Sequence, residues 1–125
     1  MLFIEYDGGK RECCERGEIA AALNLRNENN ENEFWIHFGA KNPCIAVLVK
    51  DDIAQVHYFS EEGDTGSLAV NNGGIVSENE ICICIGGNEY YIYSENMIPF
   101  DDVVRAVLMF YGNSARPGNL TWEEL

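Results

Sequence analysis

The sequence predicts an α+β domain: an antiparallel sheet of about five to seven strands, a short helix in the N-terminal half and a longer C-terminal helix packed on the sheet. Three observations lead there. Apolar residues alternate with period two in several short runs, and the turn signals between those runs are too short to join parallel neighbours. Residues 98–122 change to apolar spacings of three and four. The 125 residues contain no internal repeat and no linker, so a single domain over residues 1–125 is expected. A chain of that length buries about two-thirds of the surface it exposes when unfolded.

Residues 2–6 are the first strand candidate, closed by the turn signal Asp7-Gly8-Gly9. Residues 15–25 place Ile19, Ala22 and Leu23 at helical spacing among alanines, which predicts the short helix. Residues 26–32, with Glu33 just beyond, are Arg26 followed by Asn and Glu with little to bury, and read as an exposed, mobile loop. Residues 34–38 set Phe34, Ile36 and Phe38 against Trp35 and His37, a strand with one fully apolar face.

Residues 45–50 and 53–60 flank Asp51-Asp52 as a tight hairpin. A two-residue loop pairs Val49 with Ala54, Val47 with Val56 and Ile45 with Tyr58 on one face. It leaves Lys50, Ala46, Leu48, Ile53, Gln55, His57 and Phe59 on a mixed face suited to partial cover. After the acidic loop 61–66 come a short strand at 67–71 and a turn at Asn72-Gly73-Gly74. A second hairpin, 81–85 with 89–93, turns at Gly86-Gly87-Asn88. A two-residue turn groups Ile81, Ile83 and Ile85 with Tyr90 and Ile92, and puts Cys82, Cys84, Tyr91 and Tyr93 opposite, whereas a three-residue turn swaps the pairing. Both faces of the ICICI run are apolar, so this strand is expected inside the sheet, under the C-terminal helix.

That helix carries Val103, Val104, Val107, Leu108, Phe110 and Tyr111 as one broad stripe, with Asp101, Asp102 and Arg105 outside it. Pro99 suits a first turn, which needs no amide hydrogen, and the two aspartates favour the positive end of the helix dipole. Gly112 is expected to end the helix in the left-handed conformation, and Pro117 blocks its resumption.

Twenty-one acids against eight Lys and Arg give a net charge of −13. Such a surface repels nucleic acid and anionic membranes and attracts basic partners in a salt-dependent way. Between Lys50 and Arg105 there is no Lys or Arg at all, while eleven Asp and Glu lie there. Two readings stand side by side: a solvating surface, and a surface for a basic partner. No apolar run approaches the ~20 residues that span a bilayer. Glu5 and Asp7 stand where a secretory signal carries positive charge, so a cytoplasmic protein is expected.

Catalysis requires a nucleophile with a base, a carboxylate pair in a cleft, or a metal cluster. The five cysteines have neither zinc nor thioredoxin spacing. Cys82 and Cys84 are expected as buried, reduced thiols, a shared soft metal being the alternative, and Cys13-Cys14 as an exposed pair without chemistry. His37 and His57 read as packed or surface histidines. A dyad of Cys44 with His57 is the competing enzyme hypothesis, against an inert buried thiol after Pro43. The paired glycines are turn residues with no cation beside them to hold a phosphate. No catalytic residue, metal or cofactor is therefore expected, and no nucleic-acid partner.

The ordered set Ala106, Phe110, Gly112, Arg116-Pro117 and Trp122, following the strand that ends His57-Tyr58-Phe59 and a Gly-turn hairpin, resembles the first Imm family. These are immunity proteins of bacterial polymorphic toxin systems. The resemblance covers residues 34–124 and implies a small cytoplasmic α+β protein, not an enzyme, that neutralises a cognate toxin domain, often a nucleic-acid deaminase or nuclease. A basic toxin partner would agree with the acidic composition. The motif residues are expected to hold the fold, with Trp122 as an apolar plug and the Arg116 guanidinium over its ring. Partner binding is assigned instead to Asp51, Asp52, Glu61, Glu62, Asp64, Glu78, Glu80 and Glu89, with Tyr91, Tyr93 or Trp35 as an aromatic anchor. The alternative is an acidic interaction or regulatory module with an unrelated partner.

Overall fold

The runs that alternate with period two form strands, and the structure, a computed structural model, describes residues 1–73 and 80–125. In chain order these form β1 (Leu2–Tyr6), β2 (Gly9–Cys13), α1 (Arg16–Leu23), β3 (Glu31–His37), β4 (Cys44–Lys50), β5 (Ile53–Phe59) and β6 (Ser67–Val70). Then come β7 (Glu80–Ile85), β8 (Asn88–Tyr93), a 3-10 turn (Ser94–Asn96), β9 (Ile98–Pro99), α2 (Phe100–Asn113) and β10 (Thr121–Glu124). The main sheet runs β10-β6-β5-β4-β3-β1-β2, with β9 beside β5, and every described pairing is antiparallel. The fold class is the expected α+β.

The β4–β5 register is the one the polarity pattern requires: Val49 faces Ala54, Val47 faces Val56 and Ile45 faces Tyr58. All six are buried. With Leu2, Ile4, Phe34 and Ile36 they make one continuous apolar sheet face, and α1 (Ile19, Ala22, Leu23) and α2 (Val103, Val107, Phe110) cover it. Burying each large aliphatic or aromatic side chain there contributes about 1.5–3 kcal/mol, an upper figure because the unfolded chain already hides part of it.

The β7–β8 hairpin has the two-residue turn, with Ile81 opposite Ile92 and Ile83 opposite Tyr90. Its place differs from expectation. It is a separate two-stranded sheet on the other face of the main sheet, where Ile83, Ile85, Ile92 and Met97 pack over Leu48 and Ile53. One face of ICICI meets that mixed sheet surface and the other meets solvent, so Cys82 and Cys84 are exposed rather than buried. An apolar run on both faces need not be covered on both, because cysteine is small enough to leave in water.

Two N-terminal expectations also change. Cys13 is 1 % exposed because β2 returns along β1 and pairs Cys13 with Leu2, and only Cys14 is at the surface. The Asn- and Glu-rich run is a loop only at its start: Glu31 and Asn32 are 3 % and 4 % exposed and begin β3. Side-chain hydrogen bonds make that burial tolerable. Asn27 Oδ1 accepts the Glu31 amide at 2.9 Å, and the Asn32 amide group donates to the Leu25 carbonyl at 3.0 Å.

Helix α2 does not stop at Gly112. It continues to Asn113, and Ser114 takes the left-handed conformation, φ 57°, with its amide donating to the Phe110 carbonyl at 2.8 Å. Gly112 is thus a helical glycine at an exposed position, with nothing within 4 Å of an added Cβ. Gly112→Ala is expected to raise stability by about 0.5–1 kcal/mol, since alanine loses less backbone freedom in a helix. A drop in melting temperature would mean that Gly112 supplies the left-handed cap after all.

Candidate protein-interaction surface

The hairpin covers only part of the second sheet face. Beyond it, alternation along β1, β3 and β5 brings Phe3, Glu5, Trp35, His37, His57 and Phe59 to the same side. Their rings form two stacks: Trp35 on Phe59 at 6.3 Å and 21° with His57 on Phe59 at 5.8 Å and 13°, and Phe3 on His37 at 5.6 Å and 16°. Trp35 is 44 % exposed. A cleft of roughly 600 Å³ opens here, walled by Trp35, His37 and Phe59 and rimmed by Glu5, Glu61 and Glu62.

Fixed hydrogen bonds shape this cleft. The Gly39 amide donates to His37 Nδ1 at 3.0 Å, so Nδ1 is the acceptor and Nε2–H points to Glu5 Oε2 at 2.7 Å. Burial pushes the His57 pKa below the usual histidine value, so its ring is neutral at neutral pH and serves as an aromatic plate. Cys44, also in the lining, is 6 % exposed, and burial raises its thiol pKa; its Sγ lies 3.8 Å from Asn42 Oδ1. An acidified nucleophile would require the opposite shift.

The acidic residues assigned to binding fall into separate groups. Asp51 and Asp52 cap the far end of the β4–β5 hairpin, where Asn30 donates to Asp51 Oδ1 at 2.9 Å and the Phe100 amide donates to the Asp52 carbonyl at 2.8 Å. The length of β5, roughly 20 Å, separates them from the acidic loop after Phe59. In that loop Glu61 and Glu62 are exposed, while Asp64 is turned inward. The Asp64 carboxylate accepts from the Ser60 amide, the Ser60 hydroxyl and the Gly66 amide at 2.9, 2.8 and 2.9 Å. Glu80, Glu89 and Tyr91 lie on the outer hairpin with Tyr93. The Tyr91 hydroxyl donates to Glu89 at 3.1 Å, which pushes its pKa up to about 12. Glu78 lies outside the described residues.

Asp64 therefore shapes its loop, and pH should reveal it. The Ser60 and Gly66 hydrogen bonds hold its pKa below the usual aspartate value, so its contribution is present above about pH 4 and is lost as pH falls through the folded-state value. The melting-temperature margin of the unaltered protein over Asp64→Asn should be present near neutrality and narrow in acid. A margin unaffected by acid would sever the carboxylate from loop order.

The motif residues stand elsewhere. Ala106 and Phe110 are buried beneath α2, and Pro117 is buried after it. Trp122 lies in β10, paired to Ala69 of β6; its Nε1 donates to the Pro117 carbonyl at 2.8 Å and its ring meets Tyr58 at 6.2 Å. The Arg116 guanidinium lies 5.8 Å from that ring, as expected, and also donates to Ser67 Oγ at 3.1 Å. Phe59, His37 and Glu5 were not among the residues assigned to binding. The signal for Phe59 was its place on the mixed face of β5; Glu5 had none, because the β1–β3 pairing is not legible locally.

Among the described residues no three His, Cys, Asp or Glu side chains gather as a metal site, and no helix is long and apolar enough to cross a membrane. The fold is an α+β scaffold, and its candidate site is the cleft lined by Trp35, His37, Phe59 and the Glu61-Glu62 loop. Along its whole length the chain is similar to the double-stranded DNA deaminase immunity protein of Burkholderia cenocepacia (strain H111), 26 % identical over 133 aligned positions that cover 100 % of both chains. No family model matches the chain.

Proposed function

We propose that this chain is an immunity protein that binds a DNA deaminase toxin domain and neutralises it without catalysis of its own. The observation that carries the proposal is the end-to-end similarity to a double-stranded DNA deaminase immunity protein, with equal coverage of both chains. The charge supports it physically. A deaminase acting on duplex DNA must present a basic surface to the phosphates and extrude the target base into its pocket. A chain of net charge −13 is complementary to that surface and competes with DNA for the same cations. Neutralisation then needs only occupancy of the DNA-binding cleft, in the cytoplasm where the host's own DNA would otherwise be the substrate.

The test is base deamination in duplex DNA by the toxin domain encoded beside this chain, titrated with the protein. Inhibition should be complete at equimolar protein, with an association rate that falls steeply with added salt, because screening acts beyond about 10 Å at 0.1 M ionic strength. Deamination that persists in excess protein would end the proposal.

A further inference from the structure

Resting on that reading, we propose that the cleft between Trp35, Phe59 and the Glu61-Glu62 loop is the contact site for the toxin domain, and that its occupant is an arginine side chain of the toxin. The concavity supplies both halves of an arginine site. A guanidinium is planar, weakly hydrated and always charged, so it stacks on an aromatic face and forms forked hydrogen bonds to carboxylates at the same time. Trp35 offers the ring: it lines the cleft and is 44 % exposed although stacked on Phe59. Glu61 and Glu62 offer the carboxylates; both residues are exposed, and among the described residues neither carboxylate is held by a hydrogen bond or ion pair, the Glu61 backbone carbonyl alone accepting from the Asp64 amide. Lys41 is the one Lys or Arg in the lining, against Glu5, Glu61, Glu62 and Asp64.

The floor is rigid where the rim is free. Asp64 is held by three hydrogen bonds and His37 by two, so the cleft keeps its shape without a ligand. The outer hairpin face is the weaker candidate, since its Tyr91 hydroxyl and Glu89 carboxylate already satisfy one another. A central aromatic surrounded by exposed charge is the usual anatomy of an energetic hot spot.

Binding of the toxin domain to Trp35→Ala and to the charge reversal Glu61→Lys with Glu62→Lys tests the assignment, with Glu15→Lys and Glu28→Lys on the α1 side as the charge-matched control. Trp35→Ala should weaken binding about 30-fold, mainly through faster dissociation. The reversal should slow association about tenfold and reduce its salt dependence, beyond the effect of the control. Single Arg→Ala substitutions over the toxin surface should include one whose loss does not add to that of Trp35→Ala. In the unaltered complex, N-bromosuccinimide should oxidise Trp35 far more slowly than in the free protein, a readout that needs no variant to fold. Parental affinity in both variants, additive losses for every toxin arginine, or unprotected Trp35 would overturn the cleft and leave the immunity proposal standing. A toxin domain that the unaltered protein does not bind would overturn both.

Discussion

Replacing Phe110 with alanine should cost about 3–5 kcal/mol, the largest loss expected from any single truncation in α2. The ring has no exposure and lies where helix and sheet meet, 4.9 Å from the Phe38 ring and edge-on to Tyr58 at 6.3 Å. Its removal takes away transfer energy and two aromatic contacts, and leaves a cavity that sheet residues, fixed by their ladder hydrogen bonds, cannot collapse to fill. Against a typical total stability of about 5–15 kcal/mol this is a large share, and a fall in melting temperature on the order of 10–20 °C should follow. Met109, the preceding residue, is 39 % exposed, and its truncation to alanine should change stability by less than about 0.5 kcal/mol. Comparable losses at the two positions would contradict the packing of α2 on the sheet.

Phe110 was legible in the sequence because it depends on local periodicity alone. The same holds for the β4–β5 hairpin, whose register follows from requiring Val47, Val49, Ala54 and Val56 to share a face; for β7–β8 the pattern left a two- and a three-residue turn open, and the structure has the first. What local pattern does not determine is which sheet surface an element covers. The ICICI strand has an apolar face whether it enters the main sheet or lies across it, and only the partly apolar surface at Leu48 and Ile53 decides for the second. Strand β2, with the sequence GKREC, has no alternation; it exists because the turn at Asp7-Gly8 returns it along β1. Strand β10 is likewise specified by its neighbour, since Thr121–Glu124 gains its structure from pairing with β6.

The candidate site was legible in chemistry and not in geometry. Acidic charge with an aromatic anchor follows from composition, and Trp35 with Glu61 and Glu62 do meet at one cleft. Asp51 and Asp52, similar in sequence context, are carried to the opposite end of the same hairpin. Asp64, two residues from Glu62, turns inward because Ser60 and Gly66 present donors to it. Proximity along the chain could not separate a carboxylate that builds a loop from one that the loop displays.

Lys50→Met should destabilise the protein by about 3 kcal/mol, although Lys50 is a half-buried lysine near a turn. Its Nζ lies 2.9 Å from Glu31 Oε2 across the β3–β4 ladder, and the Glu31 side chain is 3 % exposed against 33 % for Lys50. The second Glu31 oxygen, Oε1, has no hydrogen-bond partner, so the ammonium is the principal compensation for a buried carboxylate. Removing the cation leaves that charge unanswered; water at the exposed lysine position limits the loss to the lower end of the range for broken buried pairs. The double variant Glu31→Leu with Lys50→Met should return to within about 1 kcal/mol of the unaltered protein, because no uncompensated charge then remains. The pH dependence carries a definite sign. The hydrogen bond to Glu31 raises the Lys50 pKa, so its contribution is complete below the unfolded value of about 10.4 and fades as pH rises through the folded one. Urea unfolding should therefore show the deficit of Lys50→Met undiminished near neutrality and shrinking in strong alkali. A double variant as unstable as the sum of its parts would instead show that each side chain contributes through packing and not through the other's charge.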